Sequence, residues 1–324
     1  MLTLVTGATG LVGNNVVRML LDRGQAVRVL VRANGDPRPL EGLDVERFVG
    51  DVRDAEAVRL ACQGVSQIVH AAAIVHIGWS GLELQRAVNV AGTSHVGNAA
   101  RDAGARMVHV SSVDTVGLST TDEPADEDAP FQGKVSCSYV VSKGEAEATV
   151  LDLASRGLQA VVVNPGFMLG PWDWKPSSGR MLIKVAKSFT PLAPPGGLSV
   201  CDVRDVSSGI LAALEQGQAG QRYIMAGHNC SILELWRRFK QVSGGRPPLA
   251  KAWIPTVMTA GRCGDLVAKL TGREPDINSA AVRMSRLSHF YSSRRAEREL
   301  GYSNRALEET IHEAWQWFRE HGKA

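Results

Sequence analysis

Five cysteines in 324 residues, none in a CxxC pair or flanked by histidine, supply neither a disulfide framework nor a zinc site. Cys62, Cys137, Cys201, Cys230 and Cys263 are scattered singly, a usage that fits a reducing cytoplasmic compartment. Charge of one sign is also scarce. The 36 basic and 33 acidic residues leave a formal +3, with no Lys/Arg block of the kind that nucleic acid or an anionic membrane would need. No apolar run approaches the roughly 18 residues of a spanning helix. The first strand-like run starts at residue 2, so no signal peptide is expected. Repeats and low-complexity tracts are absent as well. What remains is a globular chain, 44% hydrophobic, whose expected partner is a small molecule.

The chain opens with MLTLVTGATGLVG. Leu2 to Thr6 is an apolar β-prone run, and Gly7, Gly10 and Gly13 follow at three-residue steps before an amphipathic segment, Leu11 to Arg23, that closes at Gly24. Glycine lets the backbone turn sharply and approach a pyrophosphate, and a helix N-terminus offers it unpaired N–H groups and partial positive charge. A second strand, Ala26 to Arg32, completes a βαβ unit and favours a dinucleotide over a merely steric need for glycine. Further strand-like runs at Val45–Val49, Ile68–Ala73, Met107–Ser111 and Gln159–Asn164 alternate with helical patterns. That alternation predicts a doubly wound parallel α/β sheet, in which ligands bind beyond the carboxyl ends of the strands.

The residues at those ends are small, polar or charged: Arg32, then Gly50 to Asp54, then Ala71 to Ala73, then Ser111-Ser112, then Asn164-Pro165-Gly166, where a turn is expected. A polar, acidic loop, Ser119 to Gly133, precedes a helix that carries Tyr139 and Lys143 on one face. A phenol beside an ammonium, with a serine at a strand end, is a proton-transfer set for a carbonyl or carbinol. The ammonium is expected to lower the phenol's pKa, and Ser112 to polarise the substrate oxygen. Residues 1–165 are expected to form the dinucleotide-binding domain. Residues 166–324 would form a smaller, mostly helical substrate-binding cap; a strand pair, Ser199–Val203 and Arg222–Ala226, is expected there, and a strand near residues 199–226 is expected to return to the first domain. His70, His76 and His109 complete no metal spacing and read as structural. The tract Ile254 to Leu270 is amphipathic and either packs onto the cap or touches a membrane or partner.

TGATGLVG, the Asp51 turn, HAAA, Asn89-Val90-Ala91-Gly92-Thr93, Ser111-Ser112, YVVSK and Asn164-Pro165-Gly166 together resemble the extended short-chain dehydrogenase/reductase family, in its dihydroflavonol-reductase and 3β-hydroxysteroid-dehydrogenase-like branch. The resemblance implies that Gly7, Gly10 and Gly13, with Thr9, Leu11 and Val12, hold the pyrophosphate and that Asp51 and Val52 flank the adenine. It implies that Ala71, Ala72, Ala73, Pro165, Gly166 and Met168 line the cofactor channel. Ser112, Tyr139 and Lys143 would be the catalytic triad, with Lys143 also on the nicotinamide ribose, Asn89 in support and Ser111 as a packing residue. Trp79, Met168, Trp172 and Trp174 would face a flat or apolar substrate. Helices near Gly81–Gly104 and Tyr139–Ser155 would pair in a homodimer.

Arg32 stands where NAD-using relatives place an acidic residue, so NADP(H) is the expected cofactor and NAD(H) the alternative. Carbonyl reduction is the expected activity. A nucleotide-sugar epimerase or dehydratase with tightly held NAD, and an NADP-sensing protein without turnover, are its rivals.

Overall fold

Short runs of valine, leucine and isoleucine, covered on both faces, set the architecture. The computed structural model of the protein describes residues 1–118 and 123–324, so the first four positions of the expected Ser119–Gly133 loop lie outside the described residues. Strand β1 (Leu2–Thr6) leads through helix α1 (Leu11–Asp22) to β2 (Ala26–Val31) and β3 (Glu46–Val49). Helix α2 (Ala55–Ala61), β4 (Gln67–His70), α3 (Leu82–Gln85), a π-helical turn (Arg86–Ala91), α4 (Gly92–Asp102), β5 (Arg106–Val110), α5 (Ser138–Ser155) and β6 (Ala160–Pro165) follow. The second half holds β7 (Phe167–Leu169), α6 (Gly179–Lys187), β8 (Leu192–Ala193), β9 (Gly197–Asp202), α7 (Val203–Gln216), β10 (Arg222–Met225) and β11 (His228–Ser231). It ends with α8 (Ile232–Ser243), β12 (Ala250–Lys251), α9 (Ile254–Thr271), α10 (Ser279–Met284), β13 (Ser288–His289), α11 (Arg294–Leu300) and α12 (Leu307–Glu320).

Seven strands form one parallel sheet in the order β10-β6-β5-β4-β1-β2-β3. Alternation along each strand feeds two cores. Val5, Val29 and Val163 pack with Val16, Val17 and Ile210 of α1 and α7, while Leu4, Ile68 and Met107 pack with Val96, Val150 and Leu153 of α4 and α5. Each such fully buried side chain stabilises the fold by about 1.5–3 kcal/mol. The order reverses between β1 and β4, and at such a switch point the carboxyl ends of neighbouring strands leave a crevice. The expected doubly wound Rossmann sheet is the observed one.

Two expectations are corrected. Ser199–Val203 and Arg222–Ala226 do not pair: β10 joins the main sheet beside β6, whereas β9 lies between β11 and β13 in a second sheet and also pairs with β7. Asn164-Pro165-Gly166 is not a turn. Pro165 ends β6, Gly166 donates its N–H to Met225 O at 3.1 Å, and the chain runs on extended into β7 of the second sheet. A side chain at 166 would stand 2.5 Å from Ser199 O, so glycine lets the two sheets approach there. The second sheet carries its own core of Leu182, Leu235, Phe239, Ile311, Trp317 and Phe318 from α6, α8 and α12.

Candidate active site

The glycine turn is built by contacts that no larger residue allows. Gly7 sits at φ +71°, and a Cβ there would lie 2.6 Å from the backbone of Ala71 and Ala72, which join β1 through Ala71 N to Thr6 O at 3.2 Å. A Cβ on Gly13 would meet Gly7 O at 2.3 Å, so helix and loop touch backbone to backbone. Gly10 is different: it is the N-cap of α1, its only close neighbour is Gly7 O at 3.3 Å, and no side chain caps the helix. The N–H groups at Leu11, Val12 and Gly13 thus face a site with no acidic residue in the first turn. Thr9 is half-buried in the same turn. An uncapped helix end above a bare glycine fits a pyrophosphate in charge and in space.

Arg32 is exposed one residue beyond β2, and among the described residues no carboxylate pairs with it. The nearby Asp51 is bound elsewhere. Its carboxylate takes Arg53 in a 2.9 Å ion pair and stays below the usual carboxylate range, through that hydrogen bond first and with Arg32 contributing charge. Val52 is buried against Gly92, and its carbonyl meets His95 Nδ1 at 2.9 Å.

At the next strand end, Ser112 lies just beyond β5 and Tyr139 in the first turn of α5, both 8% exposed. The Ser112 hydroxyl is an electrostatic neighbour of the phenol. Burial, followed by the Asp114 carboxylate, raises the Tyr139 pKa well above its ordinary value, and the Ser112 contact only partly offsets this. The expectation that Lys143 lowers it is therefore corrected. Lys143 is buried and donates to Val110 O at 2.8 Å, and burial brings its own pKa down to about 8. Asn89, on the π-helical turn, accepts from Ile74 N at 2.8 Å and donates to Ile74 O and to Ser142 Oγ, both at 3.1 Å. It ties the chain after Ala71–Ala73 to the helix of Tyr139, a duty that π turns often serve at functional sites.

Two buried networks around this set were not foreseen. Asp114 N donates to Ser112 Oγ at 3.1 Å, and the Asp114 carboxylate faces Lys134 Nζ at 3.3 Å, which in turn reaches His289 Nδ1 at 3.1 Å and Tyr291 Oη at 2.5 Å. Burial works to raise the Asp114 pKa, yet Lys134 and His289 hold it below the usual range. On the other side, Glu147 accepts from Ser111 Oγ at 2.5 Å, Thr115 Oγ1 at 2.6 Å and Asn164 Nδ2 at 2.7 Å. Ser111 is thus a polar strut, not the packing residue expected. Of the three histidines expected to be structural, His70 bridges Thr6 and Thr93 and is kept neutral, burial lowering its pKa to about 3, and His76 Nε2 meets Glu274 at 2.9 Å, whereas buried His109 has no hydrogen-bond partner on either ring nitrogen among the described residues. Among the described residues no His/Cys/Asp/Glu group could hold a metal.

The substrate side is only partly assembled as expected. Trp79 is 44% exposed, and its Nε1 donates to Ser279 Oγ at 2.8 Å. Its loop is clamped by Glu274. Burial opposes that carboxylate's charge, but Ser80, the Trp79 amide and His76 hold its pKa down to about 2. Met168 on β7 packs against the first core beside the Pro165–Gly166 link. Trp172 and Trp174 do not join this group. They meet Trp317 of the second core tilted or edge-on, Trp174 also meets His321 edge-on, and Trp172, at φ 66°, lies under Arg18 at 3.3 Å. Tyr139 packs instead with Ala280 and Met284 of α10 and with Ile77. A concavity of about 380 Å³ lined by Phe131, Val141, Ala148 and Arg222 opens on the opposite face of α5 and is no part of this site.

A Rossmann sheet with a phosphate-sized glycine cradle at its switch point, and a serine, tyrosine and lysine at the same edge, define a dinucleotide-dependent enzyme class. The family described as NAD dependent epimerase/dehydratase matches residues 3–226. The chain belongs to that family, and is an NAD(P)-dependent oxidoreductase of it. It is 35% identical to the "Sterol demethylase protein B" of Methylococcus capsulatus over 99% of each chain. It is 28% identical to a 3-beta-hydroxysteroid dehydrogenase of Mycolicibacterium neoaurum, over 92% of this chain and 86% of that one. The crystal structure of gox2253 superposes with a TM-score of 0.87 at 36% identity, covering 99% of both chains.

Proposed function

We propose that the protein uses NADP(H) to interconvert a carbonyl and the matching alcohol on a small, apolar or aromatic substrate, with Ser112, Tyr139 and Lys143 as its working triad. One observation carries this reading: a buried phenol with the buried Ser112 hydroxyl as its neighbour, at the sheet edge where the Gly7 cradle lies. Ser112 donates a hydrogen bond to the substrate oxygen. Tyr139, held protonated by burial and Asp114, gives its proton to that oxygen as the carbon takes up hydride, and takes it back in the reverse direction. A nicotinamide bound beside them supplies or accepts the hydride. Lys143, one helical turn from Tyr139 and anchored on Val110 O, would hold the nicotinamide ribose.

Arg32 supports the choice of NADP(H), because an exposed guanidinium with no carboxylate partner suits a 2′-phosphate. The names of two relatives, one a sterol and one a hydroxysteroid protein, support an apolar ring substrate. The test is NADPH consumption across a panel of carbonyl compounds. Wild-type turnover is expected, with a fall of about 10²–10⁴-fold in Tyr139→Phe; full activity in that variant, or a preference for NADH, overturns the corresponding assignment. The second reading, an epimerase or dehydratase recycling bound NAD, has the family's own description behind it. Purified protein carrying non-exchangeable NAD would favour it.

A further inference from the structure

Helix α9 is packed the wrong way round for a globular domain. The side it turns inward is made of glycine: a Cβ on Gly261 would stand 3.0 Å from Ser279 Cα, and one on Gly264 would stand 1.8 Å from Ile277 O. The bulk of the helix faces water instead, with Leu266 57%, Val267 46% and Leu270 78% exposed. At 100° per residue, Leu266 and Leu270 lie opposite Gly261 and Gly264, with Arg262 and Lys269 on one flank. Trp253, 73% exposed, is the N-cap of the helix, and the preceding β12 pairs with β8. Through that pairing Leu249, 72% exposed, donates its N–H to Pro191 O at 2.8 Å, close in sequence to Phe189, 61% exposed. The exposed apolar side chains therefore stand by a two-stranded ladder at the start of a helix of 18 residues, about 27 Å long, and again in its last two turns.

The charge beside them is as uneven. Residues 246–273 contain Arg246, Lys251, Arg262, Lys269 and Arg273 against the single acid Asp265, a net of +4, whereas the whole chain carries +3. Asp265 is spent internally, accepting from Ser279 N at 2.9 Å. Among the described residues, none of those five cations is in an ion pair with a carboxylate. An exposed apolar stripe with a tryptophan at its end and unpaired cations on its flank is the composition of a helix lying in a bilayer interface, apolar face among acyl chains and cations at the headgroups. Among the described residues no helix is long and apolar enough to cross a membrane, so the mode is peripheral.

We propose that the face formed by Phe189, Leu249, Trp253, Leu266, Val267 and Leu270, with its flanking cations, docks on the surface of an anionic lipid bilayer. This goes beyond the reading of the catalytic site and does not depend on it. The cations were not legible as a block because they are spaced along 28 residues and are gathered only by the helix.

The test is co-sedimentation of the purified full chain with vesicles of 70:30 phosphatidylcholine:phosphatidylglycerol and of phosphatidylcholine alone. The protein is expected to sediment with the anionic vesicles and to be released as salt rises from about 0.1 to about 1 M, where the screening length falls from ~10 to ~3 Å. The triple variant Leu249→Ser, Trp253→Ser, Leu270→Ser should partition at least roughly tenfold less, with an unchanged thermal melt showing that it is folded. Replacing Lys251 and Lys269 by Glu should abolish the preference for anionic lipid. Protein left in the supernatant with both vesicle types overturns the proposal, as does a folded triple variant that binds like the wild type. A dimer that the serine substitutions dissociate would show a second copy of the chain on this face, and also overturns it.

Discussion

Asp114 donates its backbone N–H to the Ser112 hydroxyl oxygen at 3.1 Å while its carboxylate, beside Lys134, acts on the Tyr139 phenol. The same carboxylate accepts from Ser112 Oγ at 3.5 Å, so one residue holds the serine hydroxyl as donor and as acceptor and keeps the tyrosine protonated. Asp114→Asn retains the amide contact and removes the charge, so the phenol's pKa falls. Reduction needs the protonated phenol, so the alkaline limb of kcat/KM for carbonyl reduction should move to lower pH in this variant, with KM for the cofactor little changed. A pH profile of NADPH oxidation reads this directly; an unmoved limb would separate Asp114 from the chemistry.

Arg32 sets the second expectation. A guanidinium on a 2′-phosphate is a charge-assisted, bidentate contact, and its loss typically weakens binding by about 1.5–3 kcal/mol, or roughly ten- to a hundredfold in Kd. Arg32→Glu should weaken NADPH by at least that factor and leave NADH equal or improved. Competitive titrations of the two cofactors decide it. Equal losses for both would reassign Arg32 to the adenine face.

Legibility followed chain distance and steric demand. The cradle could be read because Gly7 and Gly13 are required by contacts within the first turn or with the neighbouring strand, and only one residue type satisfies them. Tyr139 and Lys143 were readable from one helical turn. Their electrostatics were not, since the charge that governs Tyr139 comes from Asp114, itself held by Lys134, His289 and Tyr291, the last two more than 150 residues further along the chain. Trp172 and Trp174 show the opposite case. An aromatic cluster looks the same in sequence whether it lines a pocket or fills a core, and here both rings, partly buried, pack against the core that α12 completes. The β9 pairing was missed for a topological reason: Gly166 lets the chain leave the main sheet without a turn, so β7, not β10, becomes the neighbour of β9.

Lys143 should make the cofactor-free protein less stable than it could be. Its pKa falls from 10.5 to about 8 on folding, because burial penalises the ammonium more than Glu147 compensates. Below pH 8 both folded and unfolded chains carry the proton and the full penalty applies. Between about 8 and 10.5 the unfolded chain binds more protons than the folded one, so stability from this group rises with pH. Lys143→Met removes the penalty, on the order of 1–3 kcal/mol after allowing for the lost bond to Val110 O. Urea melts at pH 7 should show the variant more stable although inactive, with the gap narrowing by pH 10.

Asp173 should show the mirror-image behaviour from the second core. It is 1% exposed, Oδ1 has no partner, and burial raises its pKa from 3.8 to about 7, with the Gly179 amide and the Lys323 and Arg180 charges only partly opposing. Between those values the folded chain holds a proton that the unfolded chain has released. Stability from this group is therefore complete below pH 4 and is lost as pH rises to 7. Asp173→Asn keeps an acceptor for Gly179 and carries no charge. It should match the wild type near pH 4 and exceed it by about 1–3 kcal/mol at pH 8, since each pK unit is worth about 1.4 kcal/mol before relaxation. Thermal melts at the two pH values separate this from packing loss: a defect in the aromatic cluster of Trp174 and Trp317 would lower stability equally at both, whereas a relieved buried charge raises it only at the higher one.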